Sequence, residues 1–192
     1  MTFDRRLLRD RIVDSMAVKQ RFLDQCVDDV AALIELATTS LREGGKIMLC
    51  GNGGSACDAA HVAAELVGWF ENKSRGPLAA MALGHEIPML TAIGNDAGYE
   101  HVFARQVQAL GRPGDLLIGI STSGGSKNVV AAMKAARERG LRTAAFASTR
   151  GGPVVELADV AIAVPSTSTP RIQECHLLAV HLLCEGLELT LA

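Results

Sequence analysis

No stretch of this 192-residue chain holds the run of about 20 apolar residues that a membrane-spanning helix needs. Its opening segment, MTFDRRLLRDRIVDS, alternates charged and apolar residues and lacks the continuous apolar core of an export signal. A basic excess is missing as well. The chain has 19 Lys and Arg against 21 Asp and Glu, a net charge of −2, which gives no sign of a broadly nucleic-acid-binding surface. The five cysteines (Cys26, Cys50, Cys57, Cys175, Cys184) form no C-x-x-C pair and are odd in number, so they read as reduced apolar fillers. Asn72-Lys73-Ser74 has the form of a glycosylation acceptor, which means nothing without export. The expected location is the cytoplasm. No linker, low-complexity tract or internal repeat divides the chain, and 48% hydrophobic residues suffice for one domain spanning 1–192.

What the chain does have is a set of five short apolar runs, Lys46–Cys50, Leu78–Leu83, Leu116–Ile120, Thr143–Ala147 and Val160–Val164. None alternates polar with apolar, so each reads as a strand buried on both faces of a parallel sheet. Helical patterns fall between and around them. About Leu7 to Arg42 reads as helix in two segments, with Val27, Val30, Leu33, Ile34 and Leu41 as its apolar stripe and Gly44-Gly45 as its stop. Ser55–Phe70, about Ile87–Thr91, Tyr99–Leu110 and Ser126–Arg139 follow, and Arg171 to Leu191 closes the chain. The fold class is α/β, a doubly wound five-stranded parallel sheet with helices on both faces and extra N- and C-terminal helices. The terminal helices carry more apolar surface than one sheet requires. Packing between subunits and burial within one chain are both open outlets for it.

Two loops carry the candidate chemistry. After the first strand come Gly51-Asn52-Gly53-Gly54-Ser55, and after the third come Ser121-Thr122-Ser123-Gly124-Gly125-Ser126. Glycines let backbone N–H groups turn toward an anion, hydroxyls add donors, and each following helix brings its positive end. Ordinary serine-capped turns would look similar singly. Two such loops after buried strands favour a ligand, because strand C-terminal ends face the crevice of an open α/β sheet. Neither fits G-x-G-x-x-G or G-x-x-x-x-G-K-[ST], which disfavours a dinucleotide or a P-loop triphosphate. His61 and Glu65 share a helix face at i and i+4, where a solvated contact is the plain reading. The last helix adds Gln173, His176 and His181. Gln173 and His181 differ by about 80° and about 12 Å along the axis, so they meet at one centre only by leaning together or from different subunits. His176 reads equally well as a packing histidine. Imidazole, carboxylate and a carbonyl oxygen suit zinc or a similar divalent ion.

Taken in order, Cys50-Gly51-Asn52-Gly53-Gly54-Ser55, His61-x-x-x-Glu65, Gly94-Asn95-Asp96, Ile120-Ser121-Thr122-Ser123-Gly124 and Arg171-Ile172-Gln173-Glu174-x-His176 with His181 resemble the bacterial phosphoheptose isomerases of the SIS (sugar isomerase) superfamily. The resemblance covers nearly the whole chain. It implies a flavodoxin-like SIS fold and conversion of sedoheptulose 7-phosphate to D-glycero-D-manno-heptose 7-phosphate through a cis-enediol. That is the first step toward nucleotide-activated heptose, whether for lipopolysaccharide core or another glycan. By position, it implies zinc (Zn2+, one per subunit) on His61, Glu65, Gln173 and His181, with Glu65 and His181 as the acid/base pair. Asn52, Gly53, Gly54 and Ser55, with Asn95 and Asp96, fall where that family holds the sugar. Ser121, Thr122, Ser123 and Ser126 fall where it holds phosphate, and Glu65 and Gln173 also touch substrate. A homotetramer with active sites at subunit interfaces is implied too, with residues 1–44 used in oligomerisation.

The chain departs from the family at several points. Ser166-Thr167-Ser168-Thr169 stands where several relatives carry an Asp before R-I-Q-E, Gly125 replaces a commoner Asn, and Ala60 stands where Gln or Met is frequent. Three other readings compete. One is a non-catalytic SIS adaptor for a replication initiator, which shares the loops but lacks the His/Glu/His set. The second is an isomerase or lyase for another phosphosugar. The third is a sugar-phosphate sensor needing only the anion cradle.

Overall fold

A computed structural model describes residues 4–191. Nothing in Arg5–Arg42 interrupts a helix, since the segment contains neither Gly nor Pro, and it forms one 38-residue helix, α1, rather than two. Asp4 caps its start by accepting from Arg6 N–H at 2.9 Å. Its buried stripe is Val18, Phe22, Cys26, Val30, Leu33 and Ala37, spaced for one helix face. Val27, expected in that stripe, is half exposed instead, one residue round the helix from Cys26.

The five apolar runs all become strands: β1 (Ile47–Gly51), β2 (Ala80–Ala82), β3 (Leu116–Ile120), β4 (Arg142–Ser148) and β5 (Val160–Val164). They pair in parallel in the order β2-β1-β3-β4-β5. The central strands are buried on both faces, which is why their sequences do not alternate. Ile47 and Leu49 of β1 point into one core with Leu33, Ile118 and Phe146, while Met48 and Cys50 point into another with Leu117, Met133 and Val107. The edge strands β2 and β5 are only partly buried.

The helices between strands are α2 (Gly54–Val67), α3 (Ile87–Ala97), α4 (Ala104–Leu110), α5 (Lys127–Glu138), the short α6 (Pro153–Glu156) and the closing α7 (Thr169–Leu191). Three departures from expectation stand out. α3 runs on through Gly94-Asn95-Asp96 instead of stopping at Thr91. Tyr99–Leu110 splits into a 3₁₀ turn at Tyr99–His101 and α4. The four residues of α6 are too few to leave a periodic pattern in the sequence. α1 and α7 lie on the first core with α2, and α4 and α5 cover the second.

The strand order places the topological switch point between β1 and β3, where one chain connection leaves for β2 and the other for β4. Gly51 and Ile120 are register partners, so the glycine and serine loops leave adjacent strands at one level and open a crevice there.

Candidate functional site

Gly53 sits at the N-terminus of α2 with φ +57° and ψ −122°, a conformation closed to L side chains, so the β1–α2 turn needs this glycine. Asn52 is fixed by a reciprocal amide pair. Its Nδ2 donates to Asn128 Oδ1 at 2.9 Å, and Asn128 Nδ2 donates back to Asn52 Oδ1 at 2.8 Å. Asn128 is buried in the first turn of α5, so this pair ties the glycine loop to the serine loop. Tyr99 adds its hydroxyl to Asn52 Oδ1 at 3.0 Å. Sequence reasoning missed both partners. The one available signal for Asn128 was its place just after the serine loop, and Tyr99 gave none.

In the serine loop, Ser121 and Ser126 hydroxyls lie 2.9 Å apart, and the Gly125 N–H donates to Ser123 Oγ at 3.3 Å. Gly124 turns with φ +70° and packs directly on Gly151 and Gly152, where a side chain would collide with backbone. Thr122 and Ser123 are partly or fully exposed at the loop's outer edge. A crevice of about 280 Å³ between the loops is lined by Asn52, Tyr99, Glu100, Ser126, Lys127 and Asn128. It combines a lysine, hydroxyls, amides and the positive end of the 12-residue α5. Asn95 and Asp96 lie exposed in the last turn of α3, where Asn95 Nδ2 donates to Asp96 Oδ1 at 2.7 Å. The residue of that segment bonded to the Asn52 loop is Tyr99.

α2 and α7 run side by side in the same direction. A side chain on Gly54 would meet Gln173 Nε2 at 2.9 Å, and further along the His61 and His181 rings lie 5.2 Å apart. His61 Nε2 stands 3.2 Å from His181 Nε2 and 3.4 Å from Glu65 Oε1. His61, Glu65 and His181 thus converge within one chain, whereas Gln173 stays near the start of α2. By helical rise, His61 and Glu65 are about 10 and 16 Å beyond Gly54. The structure therefore brings together three of the four expected metal ligands and leaves Gln173 beside Gly54. A pocket of about 410 Å³ beside Gln173 is lined by Gly54, Cys57, Asp58, Pro170, Glu174 and Leu177. Asp58 Oδ2 is buried there without a partner. Burial pushes the Asp58 carboxyl up, and His61 pulls against that shift.

Among the described residues, no group of three or more His, Cys, Asp or Glu side chains is already spaced to hold a metal ion. The two separations that share His61 Nε2 are nevertheless near the ~3.3 Å edge of a tetrahedron with zinc–ligand bonds of about 2.0–2.1 Å. Two facing imidazole nitrogens and a carboxylate are also the donor types zinc takes, so these residues fit such an ion. His176 does not belong to the group. It is fully buried against Phe146, with Nε2 on the Ala147 carbonyl at 3.2 Å. Burial holds its pKa down at about 4, against a small opposing pull from that carbonyl.

The SIS domain family matches residues 13–148 of the chain. The phosphoheptose isomerase of Roseiflexus sp. strain RS-1 is 50% identical over 182 residues, covering 95% of this chain and 92% of that protein. Among solved structures, a phosphoheptose isomerase from Francisella tularensis matches with a TM-score of 0.94 at 31% identity, covering 98% of this chain and 100% of that one. The corresponding structure from Neisseria gonorrhoeae gives a TM-score of 0.90 at 43% identity, with coverage of 95% and 97%.

Proposed function

The chain belongs to the phosphoheptose isomerases of the SIS domain family, and we propose that it converts D-sedoheptulose 7-phosphate to D-glycero-D-manno-heptose 7-phosphate, the first step toward nucleotide-activated heptose. The observation that carries the reading is the meeting of His61, Glu65 and His181 on the paired helices α2 and α7 of a scaffold that also holds two anion-ready loops. An adaptor or a sensor would need the loops alone.

The ketose carbonyl at C2 acidifies the C1 hydrogens. The Glu65 carboxylate removes one of these as a proton, and the electron pair forms the C1–C2 double bond of a cis-enediol. His181 takes the C1 hydroxyl proton and gives one to the C2 oxygen. Return of the proton from Glu65 to C2 leaves the C1 aldehyde. Ser121, Thr122, Ser123 and Ser126 hold the phosphate with the α5 N-terminus, and Asn52, Gly53, Gly54 and Ser55 hold the sugar with Asn95 and Asp96. Binding energy at the far end of the substrate thereby orients the reacting end. His61, Glu65 and His181 would hold zinc, which when bound would polarise the carbonyl oxygen and lower nearby pKa values.

The rise of about 10 and 16 Å along α2 from Gly54 to His61 and Glu65 supports a homo-oligomer, a tetramer, in which a second copy completes the site. So does the exposed apolar side of α1, where Leu7, Ile12, Met16, Leu23 and Val27 face outward. A cytoplasmic location is supported by five free cysteines, four of them buried, and by the lack of any helix, among the described residues, long and apolar enough to cross a membrane.

The test is conversion of sedoheptulose 7-phosphate by wild type and by Glu65→Gln, each as purified, after chelation and after zinc return. Wild type should turn over. Glu65→Gln should lose about 10²-fold or more of kcat with an unchanged circular dichroism spectrum. Near-wild-type turnover by Glu65→Gln would remove it as the base. Conversion that ignores chelation would confine the metal to a structural role, and no conversion under any metal condition would overturn the isomerase reading.

A further inference from the structure

Below the acid/base group lies a buried ion pair that the chemistry above does not use. Arg75, in the loop after α2, and Glu188, near the end of α7, meet at 3.0 Å with side-chain exposures of 1% and 8%. Every polar site on the pair is occupied. Arg75 Nη2 donates to the backbone carbonyls of Glu65 at 2.9 Å and Gly68 at 3.1 Å, and Nη1 donates to those of Leu66 at 3.0 Å and Gly76 at 2.6 Å. Glu188 accepts from the N–H groups of Phe70 at 3.1 Å, Glu71 at 3.1 Å and Asn72 at 2.9 Å, besides Arg75 Nε.

Two of these bonds lead straight to the reacting groups. One ends on the backbone carbonyl of Glu65 itself. Another fixes the backbone of Phe70, whose ring lies 5.6 Å from the His181 ring at an interplanar angle of 37°. Glu188 follows His181 by seven residues, so both sit on one face of α7, about 20° and about 10 Å apart. Burying an ion pair gains little net stability, because desolvation offsets the attraction. What a fully bonded pair supplies is a fixed geometry.

We infer that Arg75 and Glu188 are positioning residues for the acid/base pair: together they clamp the C-terminal turn of α2 to α7 and, through the Glu65 carbonyl and the Phe70 ring, set the spacing of Glu65 and His61 from His181. The guanidinium is required because its five N–H groups bridge four carbonyls and a carboxylate at once, which an ammonium with three donors cannot do. Burial opposes the Glu188 charge, but the N–H donors of residues 70–72 and Arg75 outweigh it and hold the carboxyl at about 2, so the clamp stays charged at any working pH. The inference rests on the isomerase reading for its kinetic consequence and on geometry alone for its structural one.

The experiment compares wild type, Glu188→Gln, Arg75→Lys and Phe70→Leu by steady-state isomerisation of sedoheptulose 7-phosphate, thermal unfolding and crystal structures. Each variant should lose at least about tenfold in kcat with KM within about twofold, because the clamp does not touch the loops. The His61–His181 ring separation should shift by more than about 0.5 Å in Glu188→Gln and Arg75→Lys. Lower melting temperature with unchanged kcat and ring geometry would reduce the pair to a cap on α2 and overturn the inference. So would full rescue by Arg75→Lys, since charge alone would then suffice. If Glu188→Gln does not fold, Arg75→Lys and Phe70→Leu decide the question. A wild type inactive on sedoheptulose 7-phosphate would sink the isomerase reading alone, leaving the ring separation to judge the clamp.

Discussion

His176 shows at the level of one residue how little sequence distance says about role. It lies three residues after Gln173 and five before His181, yet it faces Phe146 and the sheet with no solvent exposure. Burial depresses its pKa from 6.5 to about 4, so the folded protein keeps it neutral where the unfolded chain would protonate it. The sign follows: between pH 6.5 and about 4 the unfolded state binds the extra proton, so stability present above pH 6.5 is lost as pH falls through that window. Thermal unfolding of wild type should therefore show a melting temperature falling from pH 6.5 to 4. In His176→Leu that slope should flatten across this window, and parallel profiles for the two proteins would count against the assignment. Asn128 and Tyr99 teach the same lesson from the other side. Their bonds to Asn52 span 76 and 47 positions of chain, a range over which no periodicity carries information.

At the scale of elements, strands and long helices were legible because burial on both faces and the 3.6-residue period each leave a pattern. The sequence pattern divides α1 in two and puts Val27 inside, because several registers of its apolar residues make plausible stripes. Only contact with β5 and α7 selects the one through Val18, Phe22 and Cys26. The extension of α3 through Gly94 overrides that residue's weak helix propensity. The β1–α2 turn was readable from its glycines, and its strained member can now be singled out. Gly53→Ala must hold a side chain at φ +57°, which costs about 1–3 kcal/mol. Its melting temperature should drop by several degrees in calorimetry. An unchanged melting temperature would mean that the turn relaxes into another conformation.

For the whole molecule, the loop crevice opens at the β1/β3 switch point, while His61 and Glu65 lie about 10 and 16 Å along α2 from Gly54 and meet His181 of α7. Assembly is proposed to complete the site, and α1 is the surface to test. Leu23 and Val27 border an apolar groove of about 410 Å³ shared with Ile34, Leu182 and Leu189. The double substitution Leu23→Asp with Val27→Asp should move the protein from the proposed tetramer to smaller species in light scattering and lower its activity in step. A tetramer that survives both charges would show that this face is not the contact.

The chain of residues by itself determined the parallel sheet and the two polar loops after buried strands, since both are written in local pattern, whereas the His61, Glu65 and His181 set was implied only by the resemblance to a family. The tertiary structure alone decided that His181 reaches His61 while Gln173 stays by Gly54. It also decided that Asn128 ties the two loops and that Arg75 and Glu188 close α2 onto α7. Those outcomes depend on how helices align after the sheet forms, and their partners lie 76 to 120 positions apart in the chain.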